Sequence, residues 1–168
     1  MNNVNNIGFS GFSVKLLDEA DISELYKLCV SNSRYYGYMK CEPDEETLKG
    51  ELTALPPGKT LKDKFFCGIY DGDRMTAILD LIIGYPSAET AFIGWFMVDG
   101  ALQGKGIGRR LITELCDFLK DSGFTQIRLG CIEENTEGRR FWERNGFTYT
   151  GAQYSTENYR VLVLQREL

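Results

Sequence analysis

The segment Val98–Arg110, VDGALQGKGIGRR, interleaves Gly104, Gly106 and Gly108 with Lys105, Arg109 and Arg110, and no acid lies between Gly100 and Thr113. An apolar run precedes it and a helical pattern follows, which predicts a strand, a Gly-rich loop and a helix start. Free N–H groups at a helix start, together with the helix dipole, make an anion site. Glycines let a ligand come close to the backbone. Cations in a first helical turn oppose the dipole, and a bound polyphosphate reverses that penalty. The chemistry indicated is phosphate binding. Two common phosphate loops do not fit. The Gly100–Gly104 spacing is one residue short for G-x-x-x-x-G-K-S/T, and Gly106 stands where the magnesium-binding hydroxyl belongs. G-x-G-x-x-G fails because Arg109 occupies its third glycine position.

The chain contains no histidine. That removes Ser-His-Asp and Cys-His nucleophiles, His bases and His metal ligands. Proton transfer falls to carboxylates, Tyr, Cys, Lys, backbone or water. The five cysteines (Cys29, Cys41, Cys67, Cys116, Cys131) form no C-x-x-C pair. No metal is expected, and a reducing, cytoplasmic location is. Lys and Arg number 19 against 24 Asp and Glu, a net charge of −5, so nucleic acid is not an expected partner. MNNVNNIGFSG has no basic start and no apolar core. No apolar run nears the ~20 residues of a membrane span, so no membrane association is expected.

These features are positioned by a predicted single domain, as suits 168 residues. Residues 1–11 read as a polar N-terminal tail and 12–168 as the domain. Phe12–Leu17 predicts a first strand, and Asp18 or Asp21 caps a helix with Ile22, Leu25, Leu28 and Cys29 on one face. An aromatic and polar stretch follows, and then a helix over EPDEETLKGELTAL. Lys64–Tyr70 and Arg74–Ile83 pair through an Asp71-Gly72 turn. Thr90–Val98 is apolar on both faces and so central; Gly94 within it marks a bulge or a close ligand approach. Helix Arg109–Ser122, strand Thr125–Ile132, helix Glu137–Asn145 and a strand pair, Phe147–Tyr154 and Tyr159–Arg166, complete the chain. The fold class is α/β (α+β by some schemes), with a mixed, mostly antiparallel sheet of about six to seven strands flanked by about four helices.

Gln103-Gly104-Lys105-Gly106-Ile107-Gly108 matches Q-x-x-G-x-G/A, and IEENTEGRRFWERNGF places an Asn before a helix closing on aromatic-x-x-x-Gly-Phe. With both motifs in order, the chain resembles the GNAT superfamily of acyl-CoA-dependent N-acetyltransferases from about Phe12 to Leu168. The resemblance implies a GNAT-like fold and acetyl-CoA as cofactor. It implies transfer of an acetyl or short acyl group to a primary amine of a small molecule or peptide, by direct attack in a ternary complex. A homodimer is left open. Met97 and Val98 would hydrogen-bond the pantetheine through their backbone, and an N–H near Met97 would meet the thioester carbonyl. Gln103, Gly104, Lys105, Gly106, Ile107, Gly108 and Arg109 would wrap the pyrophosphate. Asn135 would contact the cofactor arm, serve as a helix N-cap, or both. Arg139 and Arg140 reach a phosphate or lie on a solvated helix face.

The resemblance leaves the catalytic groups less defined. Trp142 stands where many members carry a Tyr that protonates the leaving thiolate, and an indole is only a donor. Trp142 packs beside the cofactor sulfur or fills the core; Tyr149 and Tyr154 are the nearest alternative acids. Phe92–Val98 holds no carboxylate to serve as base. Asp80 is the candidate, alone among apolar residues of Ala77–Ile83; its other readings are a Lys or Arg partner, or an edge position. Glu89 and Glu133 are weaker choices. On the acceptor side, Tyr35, Tyr36, Tyr38 and Tyr85 suit a cationic amine, or pack internally. The alternative function is a CoA-binding regulatory module without catalysis, favoured by Trp142 and by the absent strand carboxylate.

Overall fold

The computed structural model describes residues 6–168. Seven strands form one sheet: β1 (Ser13–Leu16), β2 (Lys64–Asp71), β3 (Arg74–Ile83), β4 (Thr90–Val98), β5 (Gln126–Ile132), β6 (Thr148–Ser155) and β7 (Arg160–Glu167). Five helices flank it: α1 (Ile22–Val30), α2 (Ser33–Met39), α3 (Glu45–Glu51), α4 (Ile107–Asp121) and α5 (Thr136–Arg144). The strand order is β1-β2-β3-β4-β5-β7-β6. Among the described residues only β4 and β5 run parallel, because α4 supplies the crossover such a pair requires.

Alternation along the strands splits the apolar side chains between two faces. Leu79, Leu81, Ile93 and Val98 meet Leu111 and Leu115 of α4 and Trp142 of α5. Ile78, Met97 and Phe66 meet Ile22, Leu25 and Leu28 of α1 and Leu48 of α3. The helical spacing of α1 and α4 thus buries the stripes that their sequences predict.

Two local expectations change. The aromatic stretch after α1 is a short helix, α2, ended by Lys40 in the left-handed conformation (φ 56°); Tyr36 beneath it is buried, which stabilises a segment of weak local propensity. The part of the expected tail that is described belongs to the fold. Phe9 is only 5 % exposed, Ile7 packs on the same core, and Phe9 bridges Phe12. Residues 1–5 lie outside the described part.

The feature that shapes the site lies in β4. Its pairing with β5 runs only from Thr90↔Gln126 to Ile93↔Leu129. On the other side Leu81 faces Ile93 while Asp80 faces Trp95, so Gly94 is an extra residue, a bulge. Beyond it β4 stays with β3 while β5 stays with β7, as far as Ile132↔Val161. The sheet is open between Trp95–Val98 and Gly130–Ile132.

The far end of β4 is clamped to α1. The Gly100 N–H donates to Ser31 Oγ at 2.9 Å, and a Cβ at Gly100 would stand 2.1 Å from the Ser31 carbonyl oxygen. No rotamer relieves a clash with backbone. Gly100→Ala should lower the unfolding free energy by about 2 kcal/mol or more, within the range of overpacked sites. An unchanged denaturation midpoint would contradict this close approach.

Candidate functional site

After β4 the chain makes a short 3-10 turn, Gly100–Leu102, and then the loop that opens α4. A polar knot around the buried Asn32 fixes the loop's base. Gln103 Nε2 donates to Asn32 Oδ1 (2.6 Å) and to the Val98 carbonyl (3.0 Å), and Asn32 Nδ2 donates to that carbonyl at 3.2 Å. The Gln103 side chain is therefore an inward clamp, and only its backbone is left for a ligand. Gly104 and Gly106 hold φ of 75° and 81°, left-handed conformations that favour glycine. α4 begins at Gly106 without a side-chain cap. Among the described residues, no acceptor meets the N–H groups from Gly104 to Arg109. A Cβ on Gly108 would stand 3.1 Å from the Phe141 ring, so glycine lets α4 lie close to α5.

Lys105 and Arg109 are exposed and form no ion pair with described residues. Arg110 turns away. Its guanidinium donates to the Ser10 carbonyl at 3.1 Å and lies 4.7 Å from the Phe12 ring centroid. The result is a row of unpaired N–H donors at a helix start with two free cations beside it, an arrangement suited to a diphosphate.

The opened edge of β4 leads to this cradle. Asp99 N–H donates to the Thr76 carbonyl, and Met97 faces Ile78. Antiparallel pairs alternate, so the Met97 amide and carbonyl point to β3, and those of Phe96 and Val98 point into the opening. The Met97 backbone, expected to face a cofactor, is thus committed to β3; the Phe96 backbone and the Val98 amide face the opening, while Asn32 and Gln103 hold the Val98 carbonyl. The Met97 side chain is buried under α1.

Asn135 caps α5, its Oδ1 accepting from the Gly138 N–H at 2.9 Å. Trp142 is 9 % exposed, with ring centroids 5.8, 5.0 and 5.1 Å from Phe96, Phe141 and Phe147. It fills the core between α5 and the opened part of β4. Arg34 of α2 and Glu137 of α5 form an exposed ion pair. Arg139 pairs with Glu143 within α5.

On the α1–α3 side, Asp80 lies inside the sheet and has found its partner. Its Oδ2 is 2.7 Å from Lys64 Nζ, with the two side chains 7 % and 2 % exposed. Burial pushes the Asp80 carboxyl above the ordinary carboxylate range, Glu51 adds to this, and Lys64 opposes it. Oδ1 has no hydrogen-bond partner, and neither has Trp95 Nε1 on the facing residue. The bulge meets this carboxylate: Gly94 is exposed, and a Cβ there would stand 2.7 Å from Asp80 Oδ2.

The aromatics separate. Tyr36 is buried in the core beneath α1 and α3. Tyr35 meets it edge to face at 5.6 Å; burial, then Tyr159 and Glu51, push the Tyr35 phenol up. Tyr38 is half-buried on α2. Tyr85, half-buried, meets Phe92 at 5.5 Å. Tyr154 is 53 % exposed, and its hydroxyl is 3.2 Å from where a Cβ of Gly130 would be, on the opened part of β5. Burial, then Tyr159 and Tyr85, push its phenol up. Tyr149 is not brought to the opening. It lies on edge strand β6 opposite Leu164, and its hydroxyl bonds Gln153 at 3.3 Å.

Sequence reasoning missed Lys64, Asn32 and Ser31. A signal existed for Lys64, a lone cation at the head of an apolar strand, hairpin partner of the strand that carries the lone Asp80. None existed for Asn32 and Ser31, whose partners lie more than sixty residues away. Among the described residues no cluster of three or more His, Cys, Asp or Glu could hold a metal, and no helix is long and apolar enough to cross a membrane.

These features meet known proteins. The acetyltransferase (GNAT) family model matches residues 21–147. A curated mycothiol acetyltransferase of Beutenbergia cavernae is 29 % identical over 107 residues, 63 % of this chain and 36 % of that protein, so the chain spans about a third of that relative's length. An acetyltransferase structure from Thermus thermophilus superposes with a TM-score of 0.77 at 19 % identity, covering 96 % of this chain and 100 % of that one. The PaiA N-acetyltransferase of Thermoplasma acidophilum, in complex with coenzyme A, gives 0.68 at 17 % identity, covering 94 % and 99 %. The structural likenesses carry the fold, and the family model, which spans most of the chain, carries the kinship: this chain belongs to the acetyltransferase (GNAT) family.

Proposed function

We propose that the chain transfers an acetyl group from acetyl-CoA to a primary amine of a small molecule or peptide, by direct attack within a ternary complex. One observation carries the reading: the cradle of unpaired N–H groups at Gly104–Arg109 lies at the end of the strand edge that the Gly94 bulge leaves open. When bound, acetyl-CoA supplies an activated acyl thioester. The N–H groups of Gly104–Arg109, with Lys105 and Arg109, hold its diphosphate. The Phe96 backbone and the Val98 amide receive the pantetheine as a sheet edge receives a strand. Asn135, its Oδ1 committed to the cap, offers Nδ2 to the cofactor arm.

Amine attack needs a base to take a proton. Asp80 takes it across the notch at Gly94, with basicity raised by burial. Tyr154, rather than Tyr149, is placed to return a proton to the departing sulfur, since its phenol remains protonated near neutral pH beside the opened β5. No cysteine acyl-enzyme is invoked: burial holds the Cys131 thiol up at about 11. Tyr35, Tyr38 and Tyr85, with Tyr159 and Glu51, favour a cationic acceptor through ring faces and charge. The five unpaired cysteines support a reducing compartment.

Asp80→Asn should lower kcat by about 10²–10⁴ and leave CoA affinity unchanged, read as free-thiol release against an amine panel and as calorimetric binding. Gly94→Ala, whose methyl would press on Asp80, should act in the same direction. Wild-type turnover in Asp80→Asn would remove it as base, and CoA binding without turnover on any amine would favour the regulatory module. The acid limb of the kcat/KM profile should lie above the usual carboxylate pKa of about 4, because activity needs ionised Asp80 and burial raises its pKa; a limb at or below that value would contradict this. Arg109→Ala should weaken CoA about tenfold, the equivalent of about 1.4 kcal/mol, without moving the thermal midpoint. Unaltered binding would place the phosphates elsewhere.

A further inference from the structure

Lys64 carries its ammonium into the interior at the head of an apolar strand, with 2 % of its side chain exposed. Nζ donates to Asp80 Oδ2 at 2.7 Å and to the Ala54 carbonyl at 3.0 Å, and lies 5.4 Å from the Phe66 ring centroid. Ala54 ends the turn that follows α3 and is itself bonded to the Gly50 carbonyl. One cation thus ties the α3 segment, on the acceptor side, to the carboxylate beneath the β4 bulge. Stability does not account for the pair, since buried ion pairs are often no more stabilising than apolar residues of similar volume. The carboxylate is also incompletely used, because Oδ1 has no partner although Oδ2 is held. The charged groups acting on Asp80 are Lys64 of β2 and Glu51 of α3, and Asp80 in turn adds to the burial that raises the Cys67 thiol of β2.

We infer that Lys64 is a positioning residue: its ammonium keeps the Asp80 carboxylate ionised and seated at the Gly94 notch, and pins the end of α3 to that same carboxylate. The inference rests on Asp80 being the base proposed above. Without Lys64 the carboxylate loses the one cation that pairs with it among the described residues, while burial and Glu51 remain to favour the protonated acid. The acid then forms at higher pH, and the α3 end loses its anchor.

The test uses the full chain with ¹³C-carboxyl-labelled aspartate, titrated by NMR without cofactor, alongside pH–rate profiles. In Lys64→Met the Asp80 titration midpoint and the acid limb of kcat/KM should both move to higher pH. Turnover near neutral pH should fall about tenfold or more with CoA affinity unchanged. Lys64→Arg should restore both in part, since Arg keeps the charge and alters the geometry. If Lys64→Met fails to fold, Lys64→Arg and the charge-free double variant Lys64→Met/Asp80→Asn remain. The double variant should keep the kcat of Asp80→Asn alone, because Lys64 acts on the proton transfer only through that carboxylate, while the lost α3 anchor at the Ala54 carbonyl shows in the acceptor KM; a further loss of kcat would overturn the inference. A shifted midpoint with an unshifted kinetic limb would overturn the positioning role and leave Asp80 as base. Normal turnover in Asp80→Asn would overturn both.

Discussion

Gly94 adds one residue to β4 that β3 does not match, and the geometry of the site follows from that mismatch. A parallel pair holds only while both strands keep the same course. The bulge bends β4 along β3 at the point where β5 remains committed to β7. Unpaired strand edges are normally covered or blunted, because their free amides and carbonyls attract other chains. Here an edge is opened inside the sheet and flanked by helices on both faces, so an extended ligand can enter where another protein strand cannot easily pair. The same missing side chain leaves room for a carboxylate on the adjacent strand.

Charge is distributed differently on the two sides of this opening. At the loop the protein leaves donors unsatisfied: α4 starts without a cap and with cations in its first turn, a combination unfavourable to the helix by itself and favourable once an anion arrives. On the α1–α3 side Lys64 and Asp80 are already paired and buried. In the proposed function, preformed donors await the diphosphate, whereas a fixed carboxylate awaits a transient proton. The knot of Ser31, Asn32, Gln103 and Gly100 joins the end of α1 to the base of the Gly104–Arg109 loop, so both sides share one support.

Much of this was legible in the chain itself. The helical stripes of α1 and α4, the Asp71-Gly72 hairpin and the central place of β4 follow from periodicity and glycine placement, and Gly94 was open between a bulge and a close ligand approach until the register of β3 and β4 showed the bulge. The cradle was legible because its parts are contiguous. What stayed hidden depends on register and on distant partners. Whether Met97 or Phe96 offers its amide turns on a single step of β alternation, which the bulge resets. α2 was hidden because Gly37 and three tyrosines read as a loop, and burial of Tyr36 overrides that local weakness. The described part of the expected tail is pinned by Phe9, an isolated aromatic among polar neighbours and too short a signal to predict an element. Trp142 was open between two roles, and its three ring contacts place it in the core. Tyr149 and Tyr154 lie close in sequence, but the irregular pairing between them in β6 and the position of β6 at the sheet edge separate their surroundings.

The central claim is that a diphosphate sits on the amides of residues 104–109 while its thiol-bearing arm lies along the opened edge of β4. A ¹H–¹⁵N correlation spectrum recorded during addition of coenzyme A tests it residue by residue. The account predicts the largest shifts at Gly104, Lys105, Gly106, Ile107, Gly108 and Arg109, accompanied by Phe96 and Val98, with Met97 moving less because its amide is bonded to β3. Shifts confined to another surface, or changes at the loop with none along β4, would contradict it.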